Sequence, residues 1–89
     1  MLDPVRSSQF KKDLKKAKRQ GKDLNLLQTV VITLANQEPL EERFRDHELT
    51  GNWRGYRECH VNPDWRLIYK VDGQELKLAR VGSHSELFA

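Results

Sequence analysis

Three histidines, His47, His60 and His84, fall in the second half of the chain, and Asp64 follows His60 by four residues. Imidazoles titrate near neutral pH, so each can take up or release a proton under physiological conditions. Three of them beside a carboxylate suit a reaction that needs both a base and an acid. Cleavage of RNA by its own 2′-hydroxyl is such a reaction. A base takes the 2′-OH proton, an acid protonates the leaving 5′-oxygen, and arginine charge offsets the phosphorane. Tyr56, Trp65 and Phe88 add aromatic surface to the same half of the chain.

The same donors could instead hold zinc. The gaps of 13 and 24 residues between the histidines contain no His-x-x-His or His-x-x-x-His spacing, which disfavours a metal set. Loss of activity in EDTA would separate the two cases. Cys59 and His60 are adjacent, and neighbours on a strand point to opposite faces, so they cannot work as nucleophile and base. Cys59 is expected beneath the sheet. No glycine-rich phosphate loop and no nucleophile elbow occur.

The elements that must position these groups follow from hydrophobic spacing. Phe10, Leu14 and Ala17 fall at i, i+4 and i+7 after the candidate caps Ser7 and Ser8, giving a helix that ends near Gly21. Asp23 can cap a second helix carrying Leu24, Leu27, Val31 and Leu34, stopped by Asn36 and Pro39. The two helices are expected to form a hairpin. A polar loop runs to Gly51, and strands follow at Trp53 to Val61, Trp65 to Val71 and Glu75 to Val81, with turns at Asn62-Pro63-Asp64 and Asp72-Gly73. Met1 to Arg6 adds an edge strand that tolerates Pro4. The expected fold is α+β, two N-terminal helices packed on a small curled antiparallel sheet, with residues 1–89 as one domain.

At 89 residues there is room for one small core, so any site should be a shallow surface cleft. The lone cysteine and an N-terminus without signal-peptide character indicate a cytoplasmic protein, and no apolar stretch is long enough to span a bilayer. Net charge is +3, but it is unevenly spread: residues 1–22 carry +6 and the remainder −3. Lys15, Lys16, Lys18 and Arg19 lie within that basic helix and are candidates for binding a polyanion.

Four blocks in order, Asp46-His47-Glu48-Leu49, Trp53-Arg54-Gly55-Tyr56-Arg57-Glu58-Cys59-His60, Pro63-Asp64 and Gly82-Ser83-His84-Ser85-Glu86-Leu87-Phe88, resemble the YafQ branch of the RelE/ParE toxin superfamily. The likeness spans the chain. It implies a RelE-like fold and a type II toxin, a ribosome-dependent endoribonuclease that cuts mRNA in the decoding site of the small subunit and is silenced by a DinJ-like antitoxin. It also implies that His47, His60, Asp64, His84 and Phe88 hold the active-site positions. Arg80, on the last strand, matches a phosphate-binding arginine of related toxins, and Arg57 of the second block is a further phosphate-binding candidate.

The implied reaction is a transesterification without metal or other cofactor. In it His84, on a mobile C-terminal segment, is the general acid, and His60 or Asp64 activates the 2′-OH. His47 binds phosphate or shares the acid role, Phe88 stacks on a nucleotide, and Arg80 neutralises the phosphorane. The alternatives on the same fold are a ParE-like topoisomerase inhibitor without enzymatic activity and a plain RNA-binding module. Groups that titrate near pH 7 favour the enzyme. An acidic antitoxin segment is expected over the Lys11 to Lys22 face or across the histidine cleft.

Overall fold

Ser7 starts the first helix because its hydroxyl accepts the Phe10 amide proton, and Asp23 starts the second by accepting from Leu26. A computed structural model describes all residues 1–89. Its elements run β1 (Asp3–Arg6), α1 (Ser8–Arg19), α2 (Leu24–Ala35), β2 (His47–Glu48), β3 (Arg57–Asn62), β4 (Trp65–Asp72), β5 (Glu75–Gly82) and α3 (His84–Phe88). Short 3₁₀ turns occupy Glu42–Phe44 and Gly51–Trp53. The strands form one sheet in the order β1-β5-β4-β3-β2.

The α+β fold and the meander of β3, β4 and β5 agree with the sequence reading, and Gly73 makes its hairpin turn at a φ of +60°. Four details differ from it. The edge strand β1 lies parallel to β5, which the Asp3↔Glu75 to Arg6↔Leu78 register shows. The strand expected from Trp53 begins only at Arg57, because residues 51–53 coil into a 3₁₀ turn and Gly55 takes a φ of +92°. The loop before it contains the two-residue strand β2, paired with Glu58 and Arg57.

The fourth difference concerns the C-terminus, where residues 84–88 form a short capped helix, an element not expected there. Ser83 accepts from the Glu86 amide while the Glu86 carboxylate accepts from the Ser83 amide. Lys16 of α1 pairs with the same carboxylate, and Leu87 is buried. The turn back requires Gly82: a Cβ there would stand 3.3 Å from Leu87 Cδ2 and 3.1 Å from Glu86 Oε1.

The main core lies between the helices and one face of the sheet. It joins Phe10, Ala17, Leu27, Val30 and Leu34 to Cys59, Leu67, Tyr69, Leu76, Leu78 and Val81. Alternation turns the intervening residues Glu58, His60, Arg66 and Ile68 to the other face.

In β5 the alternation is broken on purpose by one extra residue. Ile68 pairs with Arg80 and Tyr69 with Leu78, leaving Ala79 as a bulge. Strict alternation from Leu76 and Leu78 would have put Arg80 in the core; the bulge turns it to the open face. The first helix holds that bulge in place. Ser7 Oγ donates to the Ala79 carbonyl, and the nearly buried Asp13 accepts from the Val81 amide at 3.1 Å.

Candidate active site

Glu58 is the centre of the open face. Its side chain is 2% exposed, and its Oε1 lies 3.5 Å from His47 Nε2, 3.3 Å from His60 Nε2 and 3.5 Å from Arg66 Nη1. These partners come from three strands: β2 supplies His47, β3 supplies Glu58 and His60, and β4 supplies Arg66. The β2–β3 pairing sets His47 directly opposite Glu58, and the β3–β4 pairing sets His60 opposite Arg66. Cross-strand neighbours lie about 5 Å apart, so register alone brings the four side chains together.

From Arg66 the cluster continues into α3. Arg66 Nη1 lies 2.9 Å from His84 Nδ1. A guanidinium can only donate, so Nδ1 accepts and the ring proton sits on Nε2. Asp64, in the β3–β4 turn, accepts from the His84 backbone amide at 3.3 Å and thereby ties α3 to the hairpin. Phe88 lies one helical turn on, its ring centroid 5.0 Å from that of His84. On the other side, His47 Nδ1 donates to the Arg45 carbonyl at 2.6 Å, and the His47 and His60 rings meet edge to face at 6.1 Å.

Burial and the neighbouring Arg66 guanidinium lower the affinity of His60 for a proton, with His47 adding to the effect and Glu58 opposing it. His60 is therefore held neutral at neutral pH, as a base must be before it acts. Two buried atoms have no hydrogen-bond partner within the protein: Glu58 Oε2 and Arg66 Nε. Leaving such atoms unpaired is costly, and a polar ligand would satisfy them.

The structure thus brings together His47, His60, Asp64, His84 and Phe88. It gives Asp64 a contact with the His84 backbone instead of a place beside His60. The phosphate-binding candidates lie elsewhere. Arg80 is clamped by Asp13 through Nε at 2.9 Å and Nη2 at 3.1 Å. Arg57 pairs with Asp46 and Glu48, and Lys16 with Glu86. Lys15 and Lys18 line an apolar groove of about 470 Å³ between α1 and α2, and Arg19 is exposed at the end of α1.

Glu58 and Arg66 are the residues that the sequence reading passed over. A signal was available for Glu58: with Cys59 assigned to the core, period-two alternation sends Glu58 and His60 to the opposite face together. The thiol is fully buried, which pushes its proton affinity far up and leaves it inert.

The sequence as a whole matches a known family. A family model for a bacterial toxin of type II toxin-antitoxin system, YafQ, matches residues 2–89. The chain belongs to the YafQ toxin family. It is 45% identical over 83 residues to the mRNA interferase toxin YafQ of Escherichia coli strain K12, covering 92% of this chain and 90% of that one. The E. coli DinJ–YafQ complex superposes with a TM-score of 0.90 at 42% identity over the full length of both chains. A metal-bound toxin from Helicobacter pylori gives 0.92 at 48% identity, covering 99% of this chain and all of that one. The YafQ likeness therefore extends over the helices, the sheet and the C-terminal segment that carries His84. No helix is long and apolar enough to cross a membrane.

Proposed function

We propose that the protein is the toxin of a type II toxin-antitoxin system, an mRNA endoribonuclease that acts on the ribosome and is held silent by a DinJ-like antitoxin. The observation that carries this reading is the convergence of His47, His60 and His84 on Glu58 and Arg66 on one face of the sheet, in a chain so similar to an mRNA interferase. A cytoplasmic location follows from a substrate that exists there. The likeness to the mRNA interferase YafQ of E. coli and the gathering of three imidazoles around Glu58 and Arg66 both favour an enzyme over a ParE-like inhibitor.

In the reaction His60 takes the proton of the 2′-hydroxyl as O2′ bonds to phosphorus. The bond from phosphorus to O5′ breaks, and O5′ receives a proton from His84, leaving a 2′,3′-cyclic phosphate and a 5′-hydroxyl. An arriving phosphate draws the Arg66 guanidinium toward itself. His84 Nδ1, released from its donor, then takes a second proton from solvent, which makes the ring an acid. Glu58 supports positive charge on whichever imidazole is protonated, and His47 contacts the phosphate beside it. Phe88 orients a base, and Asp64 acts through the backbone of α3, keeping His84 at the cleft. Arg80 and Arg57 contribute positive field at the edges of the face.

A second reading has one observation behind it. The ligating atoms of His47, Glu58 and His60 lie within 4.8 Å of one another, close enough for one cation, and the H. pylori relative is metal-bound. A cation there would occupy the lone pairs that acid-base chemistry needs. Expressing the toxin and mapping new 5′ ends on cellular mRNA tests the main reading: wild type should generate cuts within translated codons, and a chain with no cuts would refute it.

A further inference from the structure

The open face of the sheet does not end at the histidines. Tyr56 stands immediately before β3, and four residues on along β4 from Arg66 stands Lys70. An even separation keeps Lys70 on the face of Arg66, about 13 Å from it along the strand, and the Tyr56 ring meets Lys70 there. Lys70 Nζ sits 5.4 Å over the Tyr56 ring, and Trp53 meets that ring edge to face at 5.2 Å. Arg54 is exposed beside them, and neither Arg54 nor Lys70 makes an ion pair. With Gly51, Gly55 and Arg57 they line an open cleft of about 680 Å³. Its one carboxylate, Glu48, faces Arg57.

We propose that this cleft is a second nucleotide subsite, which holds the single-stranded RNA substrate a short way along the chain from the scissile phosphate. The inference rests on the functional reading above and adds where the substrate strand runs. Charge complementarity and continuity with the catalytic face identify the occupant. Lys70 and Arg54 bind a backbone phosphate, and a base packs against Tyr56, whose ring Trp53 braces edge to face, displacing the Lys70 ammonium from the ring toward that phosphate. Aromatic side chains interleaved with unpaired cations are the recurrent means of holding single strands without reading sequence. The two loop glycines, Gly51 and Gly55, take φ values of +66° and +92° that few other residues adopt, and so shape the loop that forms one wall of the cleft.

The test uses the purified toxin and a single-stranded RNA oligonucleotide with 2′-deoxy sugars, which binds and cannot be cut, titrated at several salt concentrations. The Arg54→Ala/Lys70→Ala variant should bind about tenfold more weakly, and its salt slope should fall by about 1, since each phosphate contact on a single strand contributes about 0.7. Tyr56→Ala should lose about five- to 150-fold in affinity with its slope unchanged, as expected when stacking is removed. Lys70→Arg should restore the slope, which guards against a misfolded variant. An unchanged slope and affinity would overturn the subsite. So would a double variant that keeps its RNA affinity and loses affinity for the antitoxin, because the cleft would then belong to that partner. Wild type that binds the oligonucleotide yet cuts no mRNA on ribosomes would instead overturn the functional reading.

Discussion

Removing the His84 imidazole should cost chemistry and spare the fold. The ring is exposed, and α3 is held by Ser83, Glu86 and Leu87 rather than by His84 itself. His84→Ala should lose on the order of 10² to 10⁴ in single-turnover cleavage with its melting temperature within about 2 °C of wild type. A variant that unfolds or cuts at full rate would remove His84 from the mechanism. Zinc is expected to inhibit by filling the space among His47, Glu58 and His60, and EDTA should restore the metal-free rate; cleavage that EDTA abolishes would favour the metal reading. The histidines were legible in the sequence because imidazole is scarce and its chemistry narrow. Glu58 and Arg66 were not, since in a chain so rich in charge a glutamate or an arginine carries little information until its burial is known.

Between elements, the contact that matters most to the open face is the one from α1 to the β5 bulge. Asp13→Ala removes the acceptor of the Val81 amide and of two Arg80 nitrogens at once. It should cost about 2 kcal/mol, discounted because Arg80 is partly exposed, and lower the melting temperature by about 8 to 16 °C. A shift below about 2 °C in thermal denaturation would show that the bulge holds without α1. The C-terminal helix has its own pH dependence. Lys16, then the Ser83 amide, holds the Glu86 carboxyl down to about 2 from an ordinary value of 4.5. A lowered value means stabilisation that is complete above pH 4.5 and lost as the pH falls toward 2. Protection of the amides of residues 84–88, relative to their intrinsic exchange rates, should therefore fall across that window, and Glu86→Gln should flatten the change. Helices and the meander were legible from spacing and turn residues. The bulge was not, because one inserted residue leaves the composition of a strand unchanged while reversing the facing of everything after it; α3 was missed because five residues give too short a pattern, although Ser83 and Glu86 spelled its capping box.

At the scale of the whole molecule, the basic face of α1 holds cations left free by the fold: Lys15, Lys18 and Arg19 form no ion pairs while Lys16 is spent on Glu86. Replacing those three by alanine should weaken ribosome pelleting and lower its salt slope by up to about 2, with thermal stability near wild type. An unchanged slope would make that face merely solvated. Charge asymmetry was readable from the sequence, but which cations are free required the structure. One further consequence lies in the parallel pairing of β1 with β5, which joins Asp3–Arg6 to Glu75–Leu78 across most of the chain. Contacts so distant in sequence cannot form until β5 has left the exit tunnel. His84 and Phe88 emerge later still. On the function proposed above, the ribosome making this protein is therefore shielded by timing: the nascent chain has no finished site until residues 84–88 are clear of the tunnel, and only then can an antitoxin meet a complete target.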